Sequence, residues 1–254
     1  MKNLFNNDAF YNLLVIVVLL LIWFILPIIE PELNAIWFAE LGETVKAIID
    51  IFSTKLIHIY TSFKQILIAT LIVVLLGVFL GILIGFYEVI YRSTSWTIDF
   101  WRSIPPIIII FILINLDKSE GEIYWKIWLV IFGTLPIMMM QISDAIRNSS
   151  TSRMLIFEAL NIGFIFKIKY IILYEILPSL FSTTRTIISF AVIIVIVGEI
   201  VYSTSSYGIG VEILHYKSTY EINYVYAYAI IIGMIGFLLN TSIRYIERKI
   251  IFWK

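Results

Sequence analysis

Cysteine is absent from the 254-residue chain, and histidine occurs only at His58 and His215. The first absence excludes disulfides, thiolate metal sites and cysteine nucleophiles. The two histidines are far apart, and neither has a ligand-spaced histidine or carboxylate beside it, so the reading is ordinary interfacial residues and no metal site. Neither a GxxxxGKS/T loop nor a GxSxG elbow occurs, which removes an ATP-binding loop and a hydrolase nucleophile. Any energy source must therefore come from a partner. Charge is also scarce, at 14% of residues, with 18 basic against 18 acidic side chains. That balance carries no signal for nucleic acid or for an acidic partner.

What replaces these groups is apolar bulk: 61% of residues are hydrophobic and the mean hydropathy is +0.97. A soluble domain is roughly half apolar and a quarter charged. Long apolar runs make this an integral, all-helical membrane protein embedded in a lipid bilayer. Leu13–Ile29 is the first span and reads as a retained helix, since no small-residue cleavage site follows it. Residues 30–64 form an outer segment in which Val45–Phe52 has the pattern of an amphipathic interfacial helix. Ile66–Tyr87 is the second span, with Gly77, Gly81 and Gly85 on one face for close helix approach. A charged patch, Glu88–Arg102, precedes Pro105 and Pro106, which open a run to Leu116 about 20 Å long. That third helix is too short to cross alone. Ile123–Ile142 with Pro136 inside it, Leu180–Val201 after Pro178, and Val225–Ile243 complete six spans.

With the N-terminus inside, Lys2, Arg92, Arg102, Arg147, Arg153, Lys167, Lys169, Arg244, Arg248, Lys249 and Lys254 lie in inner segments. Lys46, Lys55, Lys64, Lys118, Lys126 and Lys217 lie outside. The excess obeys the positive-inside rule and puts both termini in the cytoplasm. Two charges fall inside spans, Arg185 and Glu199, and an intramembrane charge is a functional candidate by default. About 21 Å of helix separates them, too far for a pair. Both can also serve merely to reach headgroups, Arg185 by snorkelling. A proton-driven carrier would need more buried carboxylates or histidines than these, so a stand-alone secondary carrier or channel is the weaker alternative.

The inner segment Arg153–Pro178 stands out. Leu155, Ile156, Ala159, Leu160, Ile162, Gly163 and Phe166 recur near helical spacing, with Glu158 early and Lys167 and Lys169 late, an order that complements the helix dipole. Gly163 can end or turn that helix. A short cytoplasmic helix with an exposed apolar face either docks into a partner's groove or rests on lipid.

Glu158-Ala159-Leu160, Gly163 and Leu177-Pro178 resemble the "EAA" loop of binding-protein-dependent ABC importer permeases. Arg102-Ser103-Ile104-Pro105-Pro106, Arg185, and Glu199 with Gly208-Ile209-Gly210 are similar to motifs of the nitrate/taurine/aliphatic-sulfonate branch, as is the basic end Ile246-Glu247-Arg248-Lys249 with Trp253. Leu160 stands for the usual second Ala, and the spacer from Gly163 to Pro178 is shorter than usual. The resemblance covers roughly residues 60–254. It implies a MetI-like type I permease, with residues 1–62 as an N-terminal helix and outer segment, and 63–254 as the core carrying a coupling loop at 143–179. It further implies a non-enzymatic subunit with no cofactor of its own. Two copies, as a homodimer, would form the pathway with a separate ATPase that uses ATP and Mg and an extracytoplasmic binding protein, in the plasma (inner) membrane. Glu158, Ala159 and Gly163, with Leu155 and Ile162 as the apolar knob, are the implied ATPase contact. Pro105, Pro106, Ser189 and Glu199 are the pathway candidates. The implied cargo is a small sulfonate- or nitrate-like anion or a vitamin precursor.

Overall fold

The computed structural model describes residues 11, 14–15, 17–18, 21–25, 39–116, 122–148, 159–160, 163, 166, 173–202 and 207–251, with backbone alone at 114–116, 122–124 and 173–175. Within these residues every regular element is a helix. They are α1 (Leu41–Thr54), α2 (Leu56–Phe86), α3 (Glu88–Arg102), α4 (Pro106–Leu116), α5 (Glu122–Arg147), α6 (Leu173–Val201), α7 (Ile209–Ser218) and α8 (Ile222–Ile250). The chain divides into two compact units, Met1–Leu56 with Glu212–Ile231, and Ile57–Val211 with Ile232–Lys254.

In the first unit, α1 is amphipathic as its sequence implies, burying Thr44, Ala47 and Ile51. Polar contacts hold it to residues from late in the chain. The Tyr224 hydroxyl donates to Asp50 Oδ2 at 3.0 Å, and Lys55 Nζ lies 3.1 Å from Glu212 Oε2. Tyr216 stacks on Tyr224 with ring centres 4.2 Å apart. Burial first, and then the Glu212 carboxylate, hold the Tyr216 phenol above its ordinary range. Helical residues occur between 11 and 25; within the span expected at Leu13–Ile29, positions 13, 16, 19–20 and 26–29 lie outside the described residues.

The second unit holds the main core, with Ile66, Ala69 and Val73 of α2 meeting Leu129, Met138 and Ile142 of α5 and Ile187, Ala191 and Val195 of α6. In lipid there is no water to expel between helices, so association depends on close packing. The glycines of α2 supply it. A Cβ on Gly77 would fall 2.5 Å from Met138 Cγ, one on Gly81 2.8 Å from both Ile142 Cβ and the Met139 carbonyl, and one on Gly85 2.9 Å from Ile146 Cδ1. The face expected to allow close approach does so, against α5.

Several boundaries differ from the sequence reading. Helix α2 starts at Leu56, ten residues before the expected second span. His58, Ser62 and Gln65 are polar, which makes this stretch look like a loop, but they share one face and all three are buried. Glu88–Arg102 is helical, where a charged patch was expected. It is held to α5 by Arg147, whose Nη1 lies 2.6 Å from Glu88 Oε2 and whose guanidinium sits 3.8 Å from the centre of the Tyr91 ring. The short run after Pro106 joins α3 across an 87° bend. Pro105 disfavours helical geometry at Ile104, and Pro106 loses no hydrogen bond in the first turn of α4. Helix α6 begins at Leu173 and carries Pro178 inside it, where that proline was expected to precede the span. Ile176 is buried and the Ser179 hydroxyl donates to the Gln141 carbonyl at 3.3 Å, so contacts with the core hold the turn that proline weakens. Residues 209–218, expected in an outer loop, form α7.

Among the described residues, four helices are long and apolar enough to cross a membrane: Leu56–Phe86, Trp125–Arg147, Ile176–Val201 and Ile222–Ile250. The bent pair Glu88–Arg102 and Pro106–Leu113 makes a fifth if it counts as one crossing. The described residues thus supply four or five spans, against the six expected.

Candidate functional site

Glu199 is fully buried near the end of α6. It does not reach towards headgroups. Ser62 of α2 donates its hydroxyl to the carboxylate, 2.8 Å from Oε1 and 3.0 Å from Oε2. The Gly210 backbone N–H donates to Oε2 at 2.8 Å, while the Ile209 N–H donates to Ser62 Oγ at 2.9 Å. His58 Nδ1 lies 3.2 Å from both the Gly208 N–H and the Gly208 carbonyl, so one tautomer accepts from the amide and the other donates to the oxygen. Lys126, also buried, acts on the carboxylate through its positive charge.

The physical logic is that of a charge made tolerable. An unpaired buried carboxylate costs several kcal/mol or more. Here the first N–H groups of α7, which have no partner within their own helix, turn towards it, and the helix dipole favours the negative charge. Two glycines make room. Gly208 has φ +157°, and a Cβ there would fall 2.6 Å from the carboxylate carbon. A Cβ on Gly210 would fall 2.5 Å from the Ile196 carbonyl. A side chain at either position would displace the acid.

Sequence reasoning recorded Glu199 and Gly208–Gly210 as a motif without a contact, and it missed His58, Ser62 and Lys126. The i, i+4, i+7 polar spacing of His58, Ser62 and Gln65 was the available signal. Gln65 is buried too, and neither of its amide atoms has a partner among the described residues. No group of three or more His, Asp or Glu able to hold a metal occurs among the described residues. The cluster pairs an acid with donors and presents no activated nucleophile, which suits a structural or gating contact and not catalysis.

A separate cavity of about 400 Å³ lies between α4, α5 and α6, lined by Pro106, Ile110, Gly133, Phe190 and Ile194, with Arg102 at its edge. Pro106 therefore lines a cavity, whereas Pro105 is exposed at the bend. Ser189 is exposed and accepts a hydrogen bond from Asn240 Nδ2 at 3.2 Å; Glu199 belongs to the buried cluster. The four pathway candidates are not gathered in one place. Arg185, the other charge inside a span, bonds Glu247 of α8. Between α5 and α6, Ala159 and Gly163 are exposed, and a Cβ on Gly163 would meet nothing within 4 Å. Leu160 and Phe166 are exposed apolar side chains beside them. Leu155, Glu158 and Ile162 lie outside the described residues.

Membrane-length helices packed closely through small residues define an all-helical membrane protein. Residues 74–252 match the family described as "Binding-protein-dependent transport system inner membrane component". The chain belongs to that family: it is the permease subunit of a binding-protein-dependent ABC importer, an inner-membrane component whose ATP is used by a partner ATPase. The fold is also similar to a chain of a solved structure titled "Inward facing conformations of the MetNI methionine ABC transporter: CY5 native crystal form". The TM-score is 0.58 at 14% identity, over 76% of this chain and 93% of that one. At that identity the likeness speaks to the fold, which is MetI-like. Comparison with curated proteins gave no significant match.

Proposed function

We propose that two copies of this permease form a pathway for a small solute that opens alternately to the two sides, driven by ATPase subunits gripping residues 143–179. The observation that carries the reading is the family match over residues 74–252. Six spans with both termini in the cytoplasm belong to the proposal, on the strength of the basic-residue count. So does the division into an N-terminal part, 1–62, and a permease core, 63–254. Glu158, Ala159 and Gly163 are the proposed ATPase contact, with Leu155 and Ile162 as its apolar knob. The exposure of Ala159, Leu160 and Gly163 supports it, because a docking surface must be accessible in the isolated subunit. Closure of the ATPases would draw the two loops together and rock the spans as rigid bodies.

For the solute, the motifs favour the nitrate, sulfonate and vitamin-precursor branch. Within that range the apolar lining of the cavity beside Pro106 and Phe190 favours a neutral, vitamin-like body over a strongly hydrated anion, because burying an unpaired anion is costly. Purifying the partner binding protein and identifying the ligand that accompanies it tests this directly. A nitrate or sulfonate there removes the vitamin-like reading. Uptake by reconstituted permease that persists without the ATPase removes the coupling itself.

A further inference from the structure

Arg185, Arg244, Glu247, Arg248 and Ile251 surround a second cavity of about 500 Å³ in the second unit. Arg185 lies before the apolar run Ile187–Val197 of α6, and the other four follow the apolar part of α8. The Arg185–Glu247 ion pair therefore fixes the polar ends of two candidate spans at one depth. Helix α8 has 29 residues, about 44 Å at 1.5 Å each, and so extends beyond a hydrocarbon core of about 30 Å. Its charged last turns belong at headgroup level. Tyr245 and Ile246 are exposed there, as apolar side chains at a lipid boundary are.

The charge around the cavity is not balanced. Three guanidinium groups face one carboxylate, and that carboxylate is already bonded to Arg185. Neither Arg244 nor Arg248 has a carboxylate partner among the described residues. Both are exposed, one turn apart on the same helix. Guanidinium forks match phosphate oxygens in pairs, and basic pockets between spans at the membrane surface are suited to anionic headgroups. Lys249, on the same turn, does not line the cavity; its Nζ lies 4.6 Å from the centre of the Tyr245 ring.

We infer that Arg185, Arg244 and Arg248 form a binding site for the phosphate headgroup of an anionic phospholipid, with Glu247 positioning Arg185. The site is independent of the solute carried and of the ATPase contact. It needs no particular orientation in the membrane, since the cavity requires only a headgroup at its level.

The test uses the full-length permease in nanodiscs containing phosphatidylglycerol and phosphatidylcholine, with retained lipid read by native mass spectrometry. Wild type should retain phosphatidylglycerol in preference. The exposed double variant Arg244→Gln/Arg248→Gln should lose about tenfold of that preference, while Lys249→Gln keeps it. Arg185→Gln is less informative alone, because it also breaks the link between two helices; the exposed pair avoids this. Equal retention of both lipids by wild type, an unchanged double variant, or an equal loss in Lys249→Gln would each overturn the site. Displacement of the lipid by millimolar inorganic phosphate would overturn the lipid and point to a soluble source. A double variant that keeps its lipid preference but loses the ATPase subunit would overturn it in favour of a protein contact.

Discussion

Ser62 and Glu199 are 137 residues apart in the chain and meet inside the second unit, with the hydroxyl oxygen 2.8 Å from one carboxylate oxygen. The same hydroxyl oxygen accepts the Ile209 N–H. One small side chain thus links α2, the end of α6 and the start of α7. Ser62→Ala should lower thermal stability by about 1–2 kcal/mol, since it strands a charged acceptor and an amide donor together. Glu199→Gln should cost more, about 3 kcal/mol, because it gives up the attraction of Lys126 and turns an amide NH2 towards the Ser62 and Gly210 donors. Thermal melts in one detergent give both values. The double variant should fall short of the sum by about 1 kcal/mol; strict additivity would mean that the two residues do not act as a unit.

Gly208 and Gly210 make a related prediction with a different readout. Gly210→Ala places a methyl group against a backbone carbonyl that cannot move aside, and Gly208→Ala adds backbone strain to a clash with the acid. Each should expose the amides of residues 208–211 to hydrogen exchange at least about tenfold faster. Exchange as slow as wild type in both variants would show that α7 does not depend on Glu199 for its start.

The glycine face of α2 separates packing from mere membrane composition. Gly81→Ala should destabilise by about 1–3 kcal/mol, because the added carbon meets the Met139 carbonyl at 2.8 Å. Gly236→Ala on α8 has nothing within 4 Å and should be neutral or slightly stabilising through better helix propensity. Midpoints of thermal unfolding for the two variants decide it. Equal shifts would remove the close-approach account.

Hydropathy made the apolar centres of the spans legible, because a bilayer rewards continuous apolar length and little else. It could not find the first ten residues of α2. There His58, Ser62 and Gln65 are polar yet buried, and the partner that satisfies Ser62 arrives only after another 137 residues. Lys126 was counted as an outer basic residue for the same reason: a charge at the edge of an apolar run reads as exposed until the helices that bury it are known. Glycine spacing on α2 was readable because packing needs are periodic on one helix. The Glu199 motif was visible as a pattern, whereas its chemistry emerged only when α7 turned its amides towards the acid. Pro178 misled in the opposite direction, since contacts of Ile176 and Ser179 outweigh a local helix-breaking preference.

The proposed coupling loop provides the sharpest functional prediction. Gly163 is exposed, and a Cβ there has open space around it, so Gly163→Ala should leave folding and membrane insertion intact. Gly163→Asp adds a charge to the proposed apolar docking face, where an unpaired buried carboxylate would cost several kcal/mol on contact. At about 1.4 kcal/mol per factor of ten, ATPase association should weaken at least about a hundredfold, and uptake should fall with it. Thermal stability of the permease alone should be unchanged. Pull-down of the ATPase, uptake in proteoliposomes and a melt of the isolated subunit measure the three quantities on one variant. Loss of stability would assign Gly163 to folding; normal association with normal uptake would take this position out of the coupling contact.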